Sequence, residues 1–82
     1  MLTATEIQKI LETNLLNCRA IVEGEDGVHF TAQIICEQFS GLNSLKRQQM
    51  VYGFLNTYIQ QGDIHALSMK TWTPSEWEKQ HG

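Results

Sequence analysis

Imidazole and thiol side chains are few in this chain: three histidines and two cysteines. Imidazole and thiolate groups are the usual protein ligands of zinc and iron. Cys18 and Cys36 form no CxxC pair, which argues against a structural zinc site and against a thioredoxin motif. Two cysteines are also too few for a disulfide framework. We therefore predict that both are reduced, half-buried structural residues in apolar, strand-like runs.

Catalytic signatures are missing from the sequence. No residue pairs a nucleophile with a base, and the chain contains neither an HExxH zinc-protease motif nor a GxSxG nucleophile elbow. The few serines lie in predicted turns or beside small apolar residues. We predict that the protein is not an enzyme and that it acts by binding other molecules.

Size and composition indicate one small globular domain spanning residues 1–82. A chain this short buries a single modest core, and 41% hydrophobic with 18% charged residues is near the average for globular proteins. The net charge of -3 disfavours nucleic-acid binding as a bulk property, because phosphates require a concentrated basic surface. The first residues do not resemble a signal peptide, and no apolar run reaches the ~20 residues of a membrane span. The chain is expected to be soluble and cytoplasmic.

Hydrophobic periodicity predicts a helix followed by a β-hairpin in the first half of the chain. Apolar residues recur at helical spacing in residues 3–16, which open with a TxxE capping box. Residues 18–22 and 28–36 have the character of strands. The EGEDG segment between them, residues 23–27, carries the Asp-Gly signal of a hairpin turn.

The second half of the chain is predicted to contain a helical block, a third strand and a final helix. Helical spacing extends over residues 45–62, with a break expected near Tyr52 and Gly53 because glycine inside a helix costs about 1 kcal/mol relative to alanine. Alternation over residues 64–71 favours a strand. A second capping box, TPSE at residues 73–76, begins the last helix.

Four segments together resemble the BolA family: VHF at residues 28–30, KRQQMVYGFL at 46–55, IHALSMKT at 64–71 and TPSEW at 73–77. They occur in the family's order and span most of the chain. The resemblance implies an α/β (α+β) fold like that of a type II KH domain, with a three-stranded sheet and helices on one face. Its order of elements, α-β-β-α-(α)-β-α, agrees with the order that periodicity predicts.

The resemblance also implies a partner and a cofactor. BolA-like proteins act beside monothiol glutaredoxins, and the resulting heterodimer shares a [2Fe-2S] cluster for which the glutaredoxin and glutathione supply thiolates. A role in iron-sulfur trafficking, iron sensing or the stress response would follow. The isolated protein is expected to be a monomer without a cofactor of its own.

The resemblance implies that His65, at the position of the family's strand-three histidine, is a cluster ligand, and neutral imidazole is a good ligand for iron. The second family ligand comes from the loop between the first two strands, but the EGEDG loop has no Cys or His. His29 is the nearest replacement, and Asp26 or Glu25 would be weaker carboxylate ligands. The alternatives are a partly buried, hydrogen-bonded His65 and a merely exposed His29. His81 is expected to lie in a terminal tail.

Lys46, Arg47 and Lys70 are predicted to form a small basic patch that docks the glutaredoxin. The alternative is a DNA-binding transcriptional regulator, a role also assigned within the BolA family, in which Lys46 and Arg47 present the central helix to a duplex. The GxxG loop that lets KH domains approach nucleic acid is absent, and the net charge is acidic. Glutaredoxin binding is therefore the leading hypothesis.

Overall fold

The helices and strands follow one another in the order expected from the sequence, in a computed structural model that describes residues 1–82. In chain order they are α1 (Ala4–Asn14), β1 (Cys18–Glu23), β2 (His29–Cys36), a short 3-10 helix (Glu37–Phe39), α2 (Ser44–Gln60), β3 (Ala66–Trp72) and α3 (Pro74–His81). The strands form one mixed sheet, and this α+β architecture confirms the predicted fold. None of the helices has the length and apolar character needed to cross a bilayer.

The two predicted capping boxes begin α1 and α3. The Thr3 hydroxyl accepts a hydrogen bond from the backbone N–H of Glu6, and the Glu6 carboxylate accepts one from the backbone N–H of Thr3. Thr73 and Glu76 form the same reciprocal pair at α3, where Pro74 stands in the first turn. Each box satisfies backbone amide groups that have no partner within the helix. Local bonds therefore define where both helices begin.

β2 is the central strand of the sheet. It pairs with β1 as an antiparallel hairpin and with β3 in parallel. Parallel neighbours require a crossover connection, and α2 supplies it. In the parallel register Phe30 lies opposite Leu67, and Ile35 lies opposite Trp72. The beginnings of β2 and β3 therefore lie side by side at one end of the sheet.

The core lies between one face of the sheet and the helices α1 and α2. Successive side chains of a strand point to opposite faces, so alternate residues of β2 reach this core. The buried members of that set are Phe30, Ala32, Ile34 and Cys36. The two helices contribute Ile7, Leu11, Val51 and Leu55. Full burial of a large apolar side chain contributes roughly 1.5–3 kcal/mol to stability.

α3 does not share the face of α1 and α2, so the expectation of helices on one face needs a correction for this helix. Ile35 alternates with the core residues of β2 and faces the other way, yet it is only 7% exposed. Its neighbours in the sheet, Arg19 and Trp72, both contact Trp77 of α3. The Arg19 guanidinium carbon lies 5.6 Å from the centroid of the Trp77 ring. α3 therefore covers one end of the second face of the sheet.

α2 is a single helix of 17 residues, so the predicted break near Tyr52 and Gly53 is wrong. Gly53 is exposed, and a Cβ placed on it would meet no atom within 4 Å. Val51 and Leu55, on either side of it, are fully buried in the core. Helices in proteins gain most of their stability from such packing, and here it offsets the intrinsic cost of the glycine.

Replacing Gly53 by alanine is expected to raise the free energy of unfolding by about 0.5–1 kcal/mol, because alanine loses less backbone entropy in a helix. Gly62 is a matched control, since a Cβ there is equally unobstructed but φ is 81°. Gly62→Ala is expected to cost about 1–2 kcal/mol, because L-residues are strained in this region. Urea unfolding followed by circular dichroism measures both changes. A destabilised Gly53→Ala variant would contradict a continuous α2.

Cys18 and Cys36 form a disulfide between β1 and β2, so the prediction of two reduced cysteines is wrong. The two residues lie directly opposite each other in the hairpin register, with their Cα atoms 4.4 Å apart. This spacing is typical of a non-hydrogen-bonded antiparallel pair, in which the side chains are closest. Sequence spacing alone does not reveal that register. The disulfide closes the end of the hairpin that is remote from the turn.

Reduction of the disulfide with dithiothreitol is expected to lower the free energy of unfolding by about 3 kcal/mol, because the cross-link restricts the unfolded chain. Urea unfolding with and without the reductant measures the difference. Cys18→Ser is the control, since it removes the cross-link and its stability should not respond to dithiothreitol. Equal stability of the wild-type protein in both conditions would contradict a structural role for the disulfide.

Candidate metal-ligating site

The parallel pairing of β2 with β3 brings the two predicted ligands, His29 and His65, to the same end of the sheet. The carbonyl oxygen of Val28 accepts a hydrogen bond from the backbone N–H of Ala66, at 3.2 Å. His29 follows Val28 and His65 precedes Ala66, so the two histidines flank this single bond. His29 also lies opposite Ala66 in the strand register. The backbones of His29 and His65, from different halves of the chain, therefore lie at the same end of the sheet.

His65 lies one residue before β3, in the connection from α2, rather than within the strand predicted over residues 64–71. Its neighbour Ile64 is buried, and the Ile64 N–H donates to a carbonyl of α2 at 3.3 Å. His65 itself is exposed. The imidazole hydrogen bonds of the structure belong to the other two histidines. The alternative of a partly buried, hydrogen-bonded His65 is therefore wrong, and its ring is free to bind a ligand.

His29 is the first residue of β2, and its ring is held by Asp26. The ring Nδ1 lies 2.8 Å from Oδ2 of Asp26. The second oxygen, Oδ1, accepts hydrogen bonds from the backbone N–H groups of Val28 and His29, at 2.9 and 2.8 Å. Gly27, with φ of 70°, permits the turn between the aspartate and the strand. The His29 side chain is 75% exposed, so the rest of its ring is accessible.

These hydrogen bonds hold the pKa of Asp26 well below its usual value. The largest cause is the bond with the His29 side chain, followed by the bonds from the backbone N–H groups of His29 and Val28. Asp26 is therefore ionised at neutral pH. Sequence reasoning considered it only as a weak ligand and missed its contact with the ring. The DGVH segment carried the signal, since Asp before Gly commonly bonds its own backbone two residues on.

Comparison with known proteins identifies the family of this chain. The sequence model of the BolA-like protein family matches residues 4–76. The chain belongs to this BolA-like family. A curated relative is the acid stress protein IbaG of Escherichia coli (strain K12), which is 42% identical over 74 residues. The matched region covers 90% of this chain and 87% of IbaG.

Solved structures of BolA proteins have the same fold. A BolA protein homologue from Coxiella burnetii superposes with a TM-score of 0.84 at 46% identity, over 95% of this chain and 99% of that one. The BolA domain of SufE1 from Arabidopsis thaliana superposes with a TM-score of 0.78 at 30% identity, over 93% and 99% of the two chains. The resemblance expected from sequence is thus confirmed along nearly the whole chain.

His29 and His65 do not form a complete metal site within this BolA-like protein. No group of three or more His, Cys, Asp or Glu side chains is arranged to hold a metal ion. Cys18 and Cys36 are bonded to each other at the far end of the hairpin and place no thiolate near His29. Imidazole nitrogens are ligands that suit iron. A metal group bound by these two histidines would need further ligands from another molecule.

Arg47 of the predicted basic patch has a structural role in this BolA-like protein. Its side chain is only 11% exposed, and Nη1 lies 2.7 Å from Oε1 of Glu76 in α3. Nη2 lies 3.2 Å from the second oxygen of the same carboxylate, and Nε donates to the carbonyl of Leu42. This bidentate ion pair links the first turn of α2 to α3. Arg47 is therefore not available for a phosphate or for a partner's carboxylate.

Lys46 and Lys70 are exposed but lie on different sides of the sheet. Lys46 is in the first turn of α2, which packs on the core face. Lys70 alternates with Met69, which packs against the core, and so points to the opposite face. His29 points to that same opposite face, since its neighbour Phe30 is buried in the core. The three basic residues therefore do not form one patch.

The ion pair with Arg47 lowers the pKa of Glu76 to about 2, and the hydrogen bond from the backbone of Thr73 adds to the effect. The pKa in the folded state is thus lower than the usual value of 4.5. A group of this kind stabilises the fold above its unfolded pKa, and the contribution is lost as the pH falls through the folded pKa.

Glu76→Gln is expected to destabilise the fold at neutral pH, and its deficit relative to wild type should shrink as the pH falls from about 5 to about 2. Urea unfolding at several pH values measures this difference. Glu78→Gln, on the same helix and also exposed, is the control and should show little change at any pH. A Glu76→Gln deficit that persists undiminished in acid would contradict the role of the ionised pair.

Proposed function

We propose that this protein is a non-enzymatic binding module that partners a monothiol glutaredoxin and helps to ligate a [2Fe-2S] cluster shared between them. His65 and His29 are the ligands from this chain, and the glutaredoxin with its glutathione supplies the thiolates. The function served is iron-sulfur trafficking or iron sensing. Membership of the BolA-like family and the geometry around the two histidines support the proposal.

The single observation that carries the proposal is an incomplete ligand set. Two exposed imidazoles flank one backbone hydrogen bond, and no third His, Cys, Asp or Glu completes a metal site with them. Two ligands at an exposed end of a sheet suit a group whose other ligands belong to a partner. Imidazole in place of thiolate raises the reduction potential of a [2Fe-2S] cluster. A cluster held in this mixed way would be suited to transfer or sensing.

The partner is expected to contact the sheet face that carries His29. Lys70 lies on that face and is exposed, so it is available to pair with acidic groups of the glutaredoxin or of glutathione. α3 covers only the far end of the same face. We therefore retain Lys70 as a partner-binding residue, whereas Arg47 is engaged with Glu76. Binding of duplex DNA through α2 loses that arginine and is not favoured.

We place this function in the cytoplasm, where glutathione is kept reduced. Reduction of the Cys18–Cys36 disulfide in that compartment would leave two thiols at the far end of the hairpin. The turn that carries His29 lies at the other end, and His65 belongs to a different connection. The two proposed ligands therefore lie at the opposite end of the sheet from these two cysteines.

Anaerobic reconstitution with a monothiol glutaredoxin, glutathione, iron and sulfide tests the proposal. The wild-type protein is expected to give visible absorption and circular dichroism spectra that differ from those of glutaredoxin alone. His65→Ala should lose this heterodimer spectrum, and His29→Ala should weaken or alter it, because each variant removes one ligand.

His81→Ala is the matched control for these variants. His81 is the remaining histidine of the chain, and its ring stacks on Trp77 at a centroid distance of 3.6 Å, within α3. This variant should keep the full heterodimer spectrum. A wild-type mixture whose spectrum equals that of glutaredoxin alone would refute the proposed cluster, and so would an unchanged spectrum for His65→Ala.

A further inference from the structure

We propose that Asp26 is a positioning residue that fixes the tautomer of His29, so that Nε2 of the ring is the atom that binds the cluster. The inference rests on the proposed function, and it assigns a role within that site to a residue of the hairpin turn. Asp26 acts through His29 and is not itself a ligand.

The two oxygens of the Asp26 carboxylate have separate tasks. Oδ1 accepts both backbone bonds, from Val28 and His29, and so shapes the turn that leads into β2. Oδ2 faces only the ring, with Nδ1 of His29 at 2.8 Å. All three bonds lie within normal hydrogen-bond distances. Both carboxylate oxygens thus make hydrogen bonds within the protein, although the Asp26 side chain is 55% exposed.

The contact decides which ring nitrogen carries the proton. An ionised carboxylate is only an acceptor, so Nδ1 must be the donor in this hydrogen bond. In the neutral imidazole the other nitrogen, Nε2, then has a free lone pair. Histidines that bind metals commonly donate their second N–H to a carboxylate in this way, which fixes the ring and raises its basicity. The contact in this chain has that arrangement.

Asp26→Asn tests the inference with little disturbance of the turn. The amide oxygen of asparagine can accept both backbone bonds in place of Oδ1, but its NH2 group then faces Nδ1 as a donor. Nδ1 would have to become the acceptor, and the proton would move to Nε2. Glu23→Gln is the matched control, because it removes another exposed carboxylate of the same hairpin without touching the ring contact.

The first measurement is nitrogen-15 NMR of the His29 ring at a pH where it is neutral, with the protein alone. The wild-type and Glu23→Gln proteins are expected to carry the proton on Nδ1, and Asp26→Asn is expected to carry it on Nε2. A wild-type ring protonated on Nε2 would overturn the inference without the need for any variant. An unchanged tautomer in Asp26→Asn would overturn it as well.

The second measurement is cluster reconstitution with the glutaredoxin, glutathione, iron and sulfide. Asp26→Asn is expected to hold the cluster about 10- to 100-fold less tightly than wild type or Glu23→Gln. A cluster of undiminished stability in a variant with the altered tautomer would overturn the inference, because His29 Nε2 would then not be the ligand. Absence of the heterodimer spectrum in wild type would instead refute the proposed function. The tautomer of His29 is tested separately, because the NMR measurement uses this protein alone.

Discussion

The candidate site depends on the parallel pairing of β2 with β3. Parallel strands have to be joined by a crossover, and α2 fulfils that need while its buried residues Val51 and Leu55 complete the core. The crossover returns the chain to the end of the sheet where β2 begins. His65 precedes the first residue of β3 and so arrives beside His29. Without the pairing of β3 with β2, the two histidines would not lie at the same end of one sheet.

The hairpin in turn is fixed at both of its ends. At one end the Asp26 carboxylate binds the backbone of the turn, and at the other the disulfide joins Cys18 to Cys36. This matters because a shift of one residue in a strand exchanges its two faces. Such a shift would turn Phe30 towards solvent and His29 towards the core. The bonds at the two ends oppose that shift, so they also determine on which face His29 is presented.

Local signals in the sequence predicted most of the fold. The capping boxes at Thr3 and Thr73 identified two helix starts, because the bonds involved lie within four residues of one another. The Asp-Gly turn and the alternation around it identified the hairpin in the same way. The predicted break at Gly53 was wrong. The free-energy cost of glycine in a helix is a local property, whereas the packing of α2 that offsets it is tertiary and cannot be seen in the neighbouring residues of the sequence.

Two contacts that the sequence could not predict depend on tertiary structure. The Cys18–Cys36 bond requires the two residues to be directly opposite in the hairpin, and Arg47 meets Glu76 only because α3 returns to the start of α2. The likeness to the BolA family indicated His65 from position alone. The contact between Asp26 and His29 is local, but the Asp-Gly signal predicted only the turn and not the bond between the two side chains.

The separation of the two histidines along the chain has a consequence for the order of folding. The hairpin and α2 are built from contacts between residues near in sequence, whereas His29 and His65 are separated by most of β2 and the whole of α2. Closing a long segment of chain costs conformational entropy before the non-local contacts that offset this cost have formed. The hairpin and α2 are therefore expected to form before β3 docks. An incompletely folded molecule then carries His29 without the second imidazole beside it. Only the folded chain therefore brings His29 and His65 to the same end of the sheet.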